Sequence, residues 1–125
     1  MAGQTLSFRP TIVNLLLYAG DGLSIRLTCK DKAGNPIDIS GSVKAQIRLD
    51  RLHPNEPALA EFTVSLVDAY IGNIALSLTG TQTLSLLGDG ENKFVGVWDV
   101  QWTPSDLQIR TLVQGSVECV ADVTR

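Results

Sequence analysis

Charge is scarce in this chain: 18% of its 125 residues are Asp, Glu, Lys or Arg, against about a quarter in an ordinary soluble domain. The ten Lys and Arg are scattered and the formal net charge is −3, so the basic stripe that displaces counterions from phosphates is missing. Arg48 and Arg51 come nearest to a cluster, and Asp50 separates them. Nucleic acid is therefore not an expected partner. No apolar run reaches the ~18 residues that a spanning helix needs, so no membrane partner is expected either. Met1 to Pro10 lacks a basic stretch followed by an apolar core, which argues against a secretory leader and for maturation in the cytoplasm.

Histidine and cysteine are nearly as rare. His53 is the only histidine, and it precedes Pro54 in a loop-like segment, where a surface residue is the simplest reading. No Gly-x-Ser-x-Gly, P-loop or His-Glu-x-x-His motif occurs, and an enzyme of this size needs a nucleophile, a base and a group to orient it. Catalysis is not expected, and neither is a cofactor. Cys29 and Cys119 fall on inward positions of two predicted strands. They read as a disulfide, a pair of metal ligands, or two small buried thiols, and a reducing cytoplasm favours the thiols. Zinc needs three or four ligands, and His53 is remote from both cysteines in sequence.

What the chain has in quantity is alternation. From Leu23 to Lys30, Leu23, Ile25, Leu27 and Cys29 share one face while Ser24, Arg26, Thr28 and Lys30 share the other. Side chains alternate across a strand, so this pattern requires one buried and one wet face. Asp31 to Pro36 then concentrates turn formers, with Gly34 and Asn35 tolerant of positive φ. The pattern recurs over Ser42–Asp50, Ala58–Leu66 (Ala58, Ala60, Phe62, Val64 and Leu66 inward), Ile74–Thr79 and Lys93–Trp102. Thr11 to Tyr18 is apolar and predicts a first edge strand. Thr81 to Leu87 predicts a single helical turn, with Thr81 as N-cap and Gly88 as stop. Leu107–Val113 and Ser116–Val123 predict a closing hairpin or one bent strand, with the bend or bulge at Gly115. Short strands with turn signals every eight to twelve residues predict an all-β sandwich of seven or eight strands.

The remaining polar clusters have plain explanations. Most acidic residues lie in turns, where carboxylates bond local amides. Asp89, Glu91 and Asn92 offer oxygen ligands for calcium, but three candidates beside two glycines make a thin set. Trp98 between Gly96 and Val100 suits a core tryptophan between two sheets. Trp102, at the strand end, is expected to be partly exposed.

In order along the chain, certain pieces resemble a module of tailed-phage virion proteins. They are Gly20-Asp21 before the alternating strand, Lys30-Asp31-x-x-Gly34-Asn35-Pro36-Ile37-Asp38-Ile39-Ser40-Gly41, and Ile47-Arg48. Val67-Asp68-Ala69-x-x-Gly72-x-Ile74, the Leu84–Leu87 turn and Val97-Trp98-Asp99-Val100-Gln101 continue the match. Thr111-Leu112-x-x-Gly115-x-Val117 and Asp122-Val123-Thr124-Arg125 complete it, so that it runs from residue 18 to 125. The chain is similar to the amino-terminal domain of siphophage upper baseplate proteins and to small free-standing phage structural proteins. The resemblance implies an immunoglobulin-like antiparallel β-sandwich over residues 18–125, preceded by an arm and possible edge strand over 1–17. The apolar Leu15-Leu16-Leu17-Tyr18 and the Gly88–Asn92 loop depart from that pattern.

That resemblance implies a structural role in a phage virion, in tail, baseplate or neck, with other virion proteins and copies of itself as partners. Contacts are expected in the arm (Phe8, Ile12, Leu15, Leu17, Tyr18), in the Arg51–Pro57 loop (His53), at Trp102 and at the closing Arg125. An apolar arm is a liability on a monomer and an anchor when laid across a neighbour. Two alternatives remain: a capsid cement or decoration subunit, and a carbohydrate-binding module that takes a host glycan on Trp102, Tyr70 and nearby loops.

Overall fold

The computed structural model describes residues 11–30, 33–50, 58–88, 90–104 and 108–121. Along the chain these form β1 (Thr11–Ile12), β2 (Leu15–Tyr18), β3 (Leu23–Thr28), β4 (Ser42–Arg48), β5 (Ala60–Glu61), β6 (Thr63–Asp68), β7 (Asn73–Leu78), α1 (Gly80–Ser85), β8 (Lys93–Thr103) and β9 (Arg110–Val120). A short 3-10 turn, Ala69–Ile71, joins β6 to β7.

Two sheets face each other. The larger has the order β1-β9-β8-β4-β5 with β2 also on β9, and the smaller has the order β3-β7-β6. Taking β1 with β2 and β5 with β6 as single broken strands, the order becomes 1-7-6-3-4 against 2-5-4, with strand 4 shared between the sheets. That is an immunoglobulin-like sandwich with its first strand on the seventh. The core lies between the inner faces. Ala45, Ile47, Trp98, Val100, Val117 and Cys119 come from the large sheet, and Ile74, Leu76 and Leu78 from the small one. Each large side chain withdrawn from water here contributes about 1.5–3 kcal/mol.

The sandwich is antiparallel except at one edge. β1 and β2 run parallel to β9, pairing Thr11 with Val113 and Leu15–Tyr18 with Val117–Val120. The expected first strand is also interrupted at Val13-Asn14. There the Asn14 side chain accepts the Ser116 N–H (3.0 Å), and the Val13 carbonyl accepts the indole N–H of Trp98 (2.8 Å). The arm and possible edge strand expected over residues 1–17 thus contribute, from Thr11 on, an edge that pairs with β9 of the sandwich. Leu17 is only 3% accessible and sits in the core.

Gly115, expected to mark a bend or bulge, lies opposite Trp98 in an unbroken stretch of β9. A Cβ on Gly115 would collide with the Val13 carbonyl oxygen, so glycine here admits the neighbouring edge. The bulge itself is at Leu112, because Val100 pairs with Val113 and Gln101 with Thr111. β9 is one strand, not a hairpin.

Ala58–Leu66, expected as one strand, changes sheets at Phe62. Ala60 and Glu61 pair with β4, whereas Thr63–Ser65 pair with β7. Leu66, expected inward, is exposed because the register shifts between Ser65 and Asp68 and sets two β6 residues against one on β7. The helical turn also starts earlier than expected. Thr79, not Thr81, is the N-cap, and Leu86 rather than Gly88 closes it. Thr79 Oγ1 accepts the Gln82 N–H (3.1 Å) and Gln82 Oε1 accepts the Thr79 N–H (2.8 Å), a reciprocal capping box.

Candidate interaction surfaces

β1 and β2 decide what the first strand exposes. With Leu15 and Leu17 turned inward, alternation turns Leu16 and Tyr18 outward, and Ile12 is exposed as well. Of the arm contacts expected from sequence, Ile12 and Tyr18 therefore face solvent. Leu15 and Leu17 pack on the chain's own core and are unavailable to a neighbour. Phe8, His53 and Arg125 lie outside the described residues, as do Asp89 of the expected calcium loop and the Arg51–Pro57 segment.

Trp102 is not the exposed aromatic that its position at a strand end suggested. It is 8% accessible, its Nε1 donates to the Ser40 carbonyl (3.0 Å), and the Arg110 guanidinium lies 5.5 Å over its ring. The connector Ile37–Ser42 closes over this strand end, and Ile39 is fully buried there. An aromatic sugar platform that needs the Trp102 face is excluded by this packing. Tyr70, in the 3-10 turn, is exposed, beside exposed Leu66, Val67 and Ile71.

Three further features concern chemistry. Cys29 and Cys119 are free and buried, and burial pushes both thiols above the ordinary cysteine range. Asp38 accepts hydrogen bonds from the hydroxyl and the backbone N–H of Ser40, which hold its carboxyl below the usual range. Among the described residues, no group of three or more His, Cys, Asp or Glu is placed to hold a metal. A shallow depression of about 340 Å³ on the outer face of the large sheet is lined chiefly by Gln46, Arg48, Val97, Asp99, Gln101 and Gln114.

The outer face of the large sheet also carries what the sequence reading missed. Register places Leu16, Glu118 and Val95 in one row across β2, β9 and β8, and Tyr18, Val120 and Lys93 in the next. Leu16 is 53%, Tyr18 49% and Val95 57% accessible. Lys93 Nζ and Glu118 Oε1 form an ion pair (2.6 Å) in their midst. Val95 and Val97, apolar residues on the face of β8 that also carries Lys93, Asp99 and Gln101, were the available sequence signal. The cross-strand register that sets Val95 beside Leu16 was not.

The edges complete the inventory. β3 pairs only with β7, and β6 only with β7, so each small-sheet edge presents unpaired backbone groups among the described residues. The outer side of β1 and β2 does the same for the large sheet.

No protein-family profile matches the chain. No curated protein matches it. Solved structures do match it in shape. One is a crystal structure of a mutant SrpA adhesin from Streptococcus sanguinis, with TM-score 0.52 and 9% identity, covering 93% of this chain and 57% of that one. The chain thus spans little more than half the length of the adhesin chain it resembles. At this identity the likeness shows the fold alone, and that fold is an all-β sandwich.

Proposed function

We propose that this protein is a non-enzymatic structural component of a bacteriophage virion, docking between larger tail, baseplate or neck components through its amino-terminal arm and sheet edges. The observation that carries this reading is the parallel β1-β2 edge, which among the described residues presents unpaired backbone groups together with exposed Ile12 and Tyr18. An edge of this kind is a hazard on a free monomer and a joint in an assembly, where another strand completes it. The ordered likeness of residues 18–125 to phage modules supports the same reading. So does the low charge, which suits a subunit packed among neighbours. The reading takes other virion proteins as partners, and the virion as its location.

Cross-linking mass spectrometry on purified particles of the encoding phage tests it. Cross-links from Lys30 or Lys93 to tail, baseplate or neck proteins are expected. Absence of the chain from particles overturns the virion reading, and cross-links confined to the major capsid protein move it to a decoration role. Limited proteolysis tests the edge directly: cleavage near Ile12 should be faster in the isolated chain than in particles.

A further inference from the structure

We propose that β1 is an exchangeable strand: two copies of the chain swap residues 11–13 about a hinge at Asn14, each seating the segment on β9 of the other. The inference rests on the reading of the β1-β2 edge as a joint. It deepens that reading by naming the partner, a second copy, and the segment that passes between them.

The seat of this segment is visible in the closed chain. Val13 N–H donates to the Gln114 carbonyl (3.0 Å), as a parallel ladder requires. The same ladder would next send the Ser116 N–H to the Val13 carbonyl. Here Asn14 Oδ1 takes the Ser116 N–H (3.0 Å), and the Val13 carbonyl takes the indole N–H of Trp98 (2.8 Å). Gly115 leaves room for that carbonyl, since a Cβ there would collide with its oxygen. The plug is thus a carbonyl followed by an Asn side chain, and the socket is a notch flanked by two N–H groups. An empty socket strips the Trp98 indole of its acceptor, whereas the same segment of a second copy restores every bond. That requirement selects the occupant.

β1 is loosely held and β2 firmly held. Thr11 and Ile12 are both exposed, and among the described residues β1 pairs only with β9, so its departure uncovers little apolar surface. Leu15 and Leu17 pack on the core and keep β2 against Val117–Val120. The strand is already broken between the two, at Val13-Asn14, which places the hinge. Exchange of an identical element is a low-cost route to a dimer, because the dimer makes the bonds of two closed chains. The chain's own β1, on its short tether, competes at an effective concentration on the order of 1 mM. Exchange is therefore expected where copies are crowded, in concentrated solution or in an assembly.

Two cysteine pairs test the proposal. Ile12 and Gln114 are register partners before the hinge, and Leu16 and Glu118 are partners after it. Parallel neighbours stand about 4.8 Å apart, within disulfide reach. Ile12→Cys with Gln114→Cys, and separately Leu16→Cys with Glu118→Cys, are equilibrated reduced at about 1 µM and about 1 mM, then oxidised and sized without reductant. Circular dichroism must show both folded as the wild type is. The first pair should close within one chain of 13.4 kDa at the low concentration and link two chains in most molecules at the high one. The second pair should close within one chain at both. Closure of the first pair within one chain at both concentrations overturns the proposal. So do links between chains in both pairs, which show association without a hinge at Asn14. Sedimentation equilibrium of the unaltered chain gives an independent readout, and a monomer at about 1 mM overturns the proposal as well. The virion reading is decided by cross-links in particles, so the two failures are distinguishable.

Discussion

Trp98 Nε1 donates to the carbonyl oxygen of Val13 at 2.8 Å, joining residues 85 apart in sequence. The bond satisfies a backbone acceptor at the break between β1 and β2, where no ladder partner accepts the role. The Trp98 ring is 2% accessible and lies 5.5 Å from the Phe62 ring, at the point where the chain changes sheets. One side chain thus secures the parallel edge from its indole nitrogen and the sheet switch from its ring.

Trp98→Phe keeps much of the aromatic volume and removes the donor, leaving the Val13 carbonyl without it. A loss of about 1–3 kcal/mol is expected from urea unfolding. A loss below about 0.5 kcal/mol, within the scatter of surface substitutions, would show that water replaces the bond.

Gly115→Ala forces a Cβ against the same Val13 oxygen, so the edge must move away. A loss of about 1–3 kcal/mol is expected, as for other overpacked sites. Because both substitutions act on one carbonyl, the double variant should lose less than the sum of the two, by at least about 0.5 kcal/mol. Additive losses would separate the two effects.

Thr83 is the buried polar residue of the described core, and its hydroxyl ties α1 to the turn between β2 and β3. It accepts the Gly20 N–H (3.0 Å) and donates to the Asp21 carbonyl (2.9 Å). Thr83→Val preserves shape and removes both hydrogen bonds, with an expected loss of about 1–3 kcal/mol. Thr79→Ala, which removes the cap of the same turn, should cost about 1 kcal/mol.

The thiols give a pH prediction. Folding raises the pKa of Cys29 and Cys119 by burial, so the folded chain holds protons that the unfolded chain releases. Their contribution is complete below the ordinary thiol pKa and is lost as pH rises through it toward the folded values. Stability should fall on the alkaline side, and Cys29→Ala with Cys119→Ala should flatten that fall. Both thiols should react with a thiol reagent far more slowly in the native state than in urea. Rapid native labelling would contradict the burial.

Much of the sandwich was legible in the sequence because alternation reports directly on burial. Leu23–Thr28 and Lys93–Trp102 presented their inner faces openly, and Trp98 declared itself a core residue. The sheet change at Phe62 was not legible, since Ala60, Phe62 and Val64 keep facing inward while their hydrogen-bond partner changes from β4 to β7. Periodicity records the face of a strand and is silent about its neighbour. Gly115 misled for a related reason: its missing side chain makes room for another strand, and a glycine that bends its own chain looks the same in sequence. Asn14, a single polar residue in an apolar run, was the signal for the broken edge. Trp102 shows the limit of reading exposure from position, because the Ser40 carbonyl that takes its indole N–H is 62 residues away and Arg110 covers its ring from the neighbouring strand.

The parallel course of β2 and β9 has a mechanical consequence. One strand enters the fold from the amino terminus and its neighbour leaves toward the carboxyl terminus, so the described ends emerge at opposite poles. Tension applied across them slides β2 along β9, and the ladder from Leu15 to Tyr18 is loaded in shear, all at once, instead of being unzipped bond by bond. Single-molecule pulling through residues 11 and 121 should therefore meet one high rupture force.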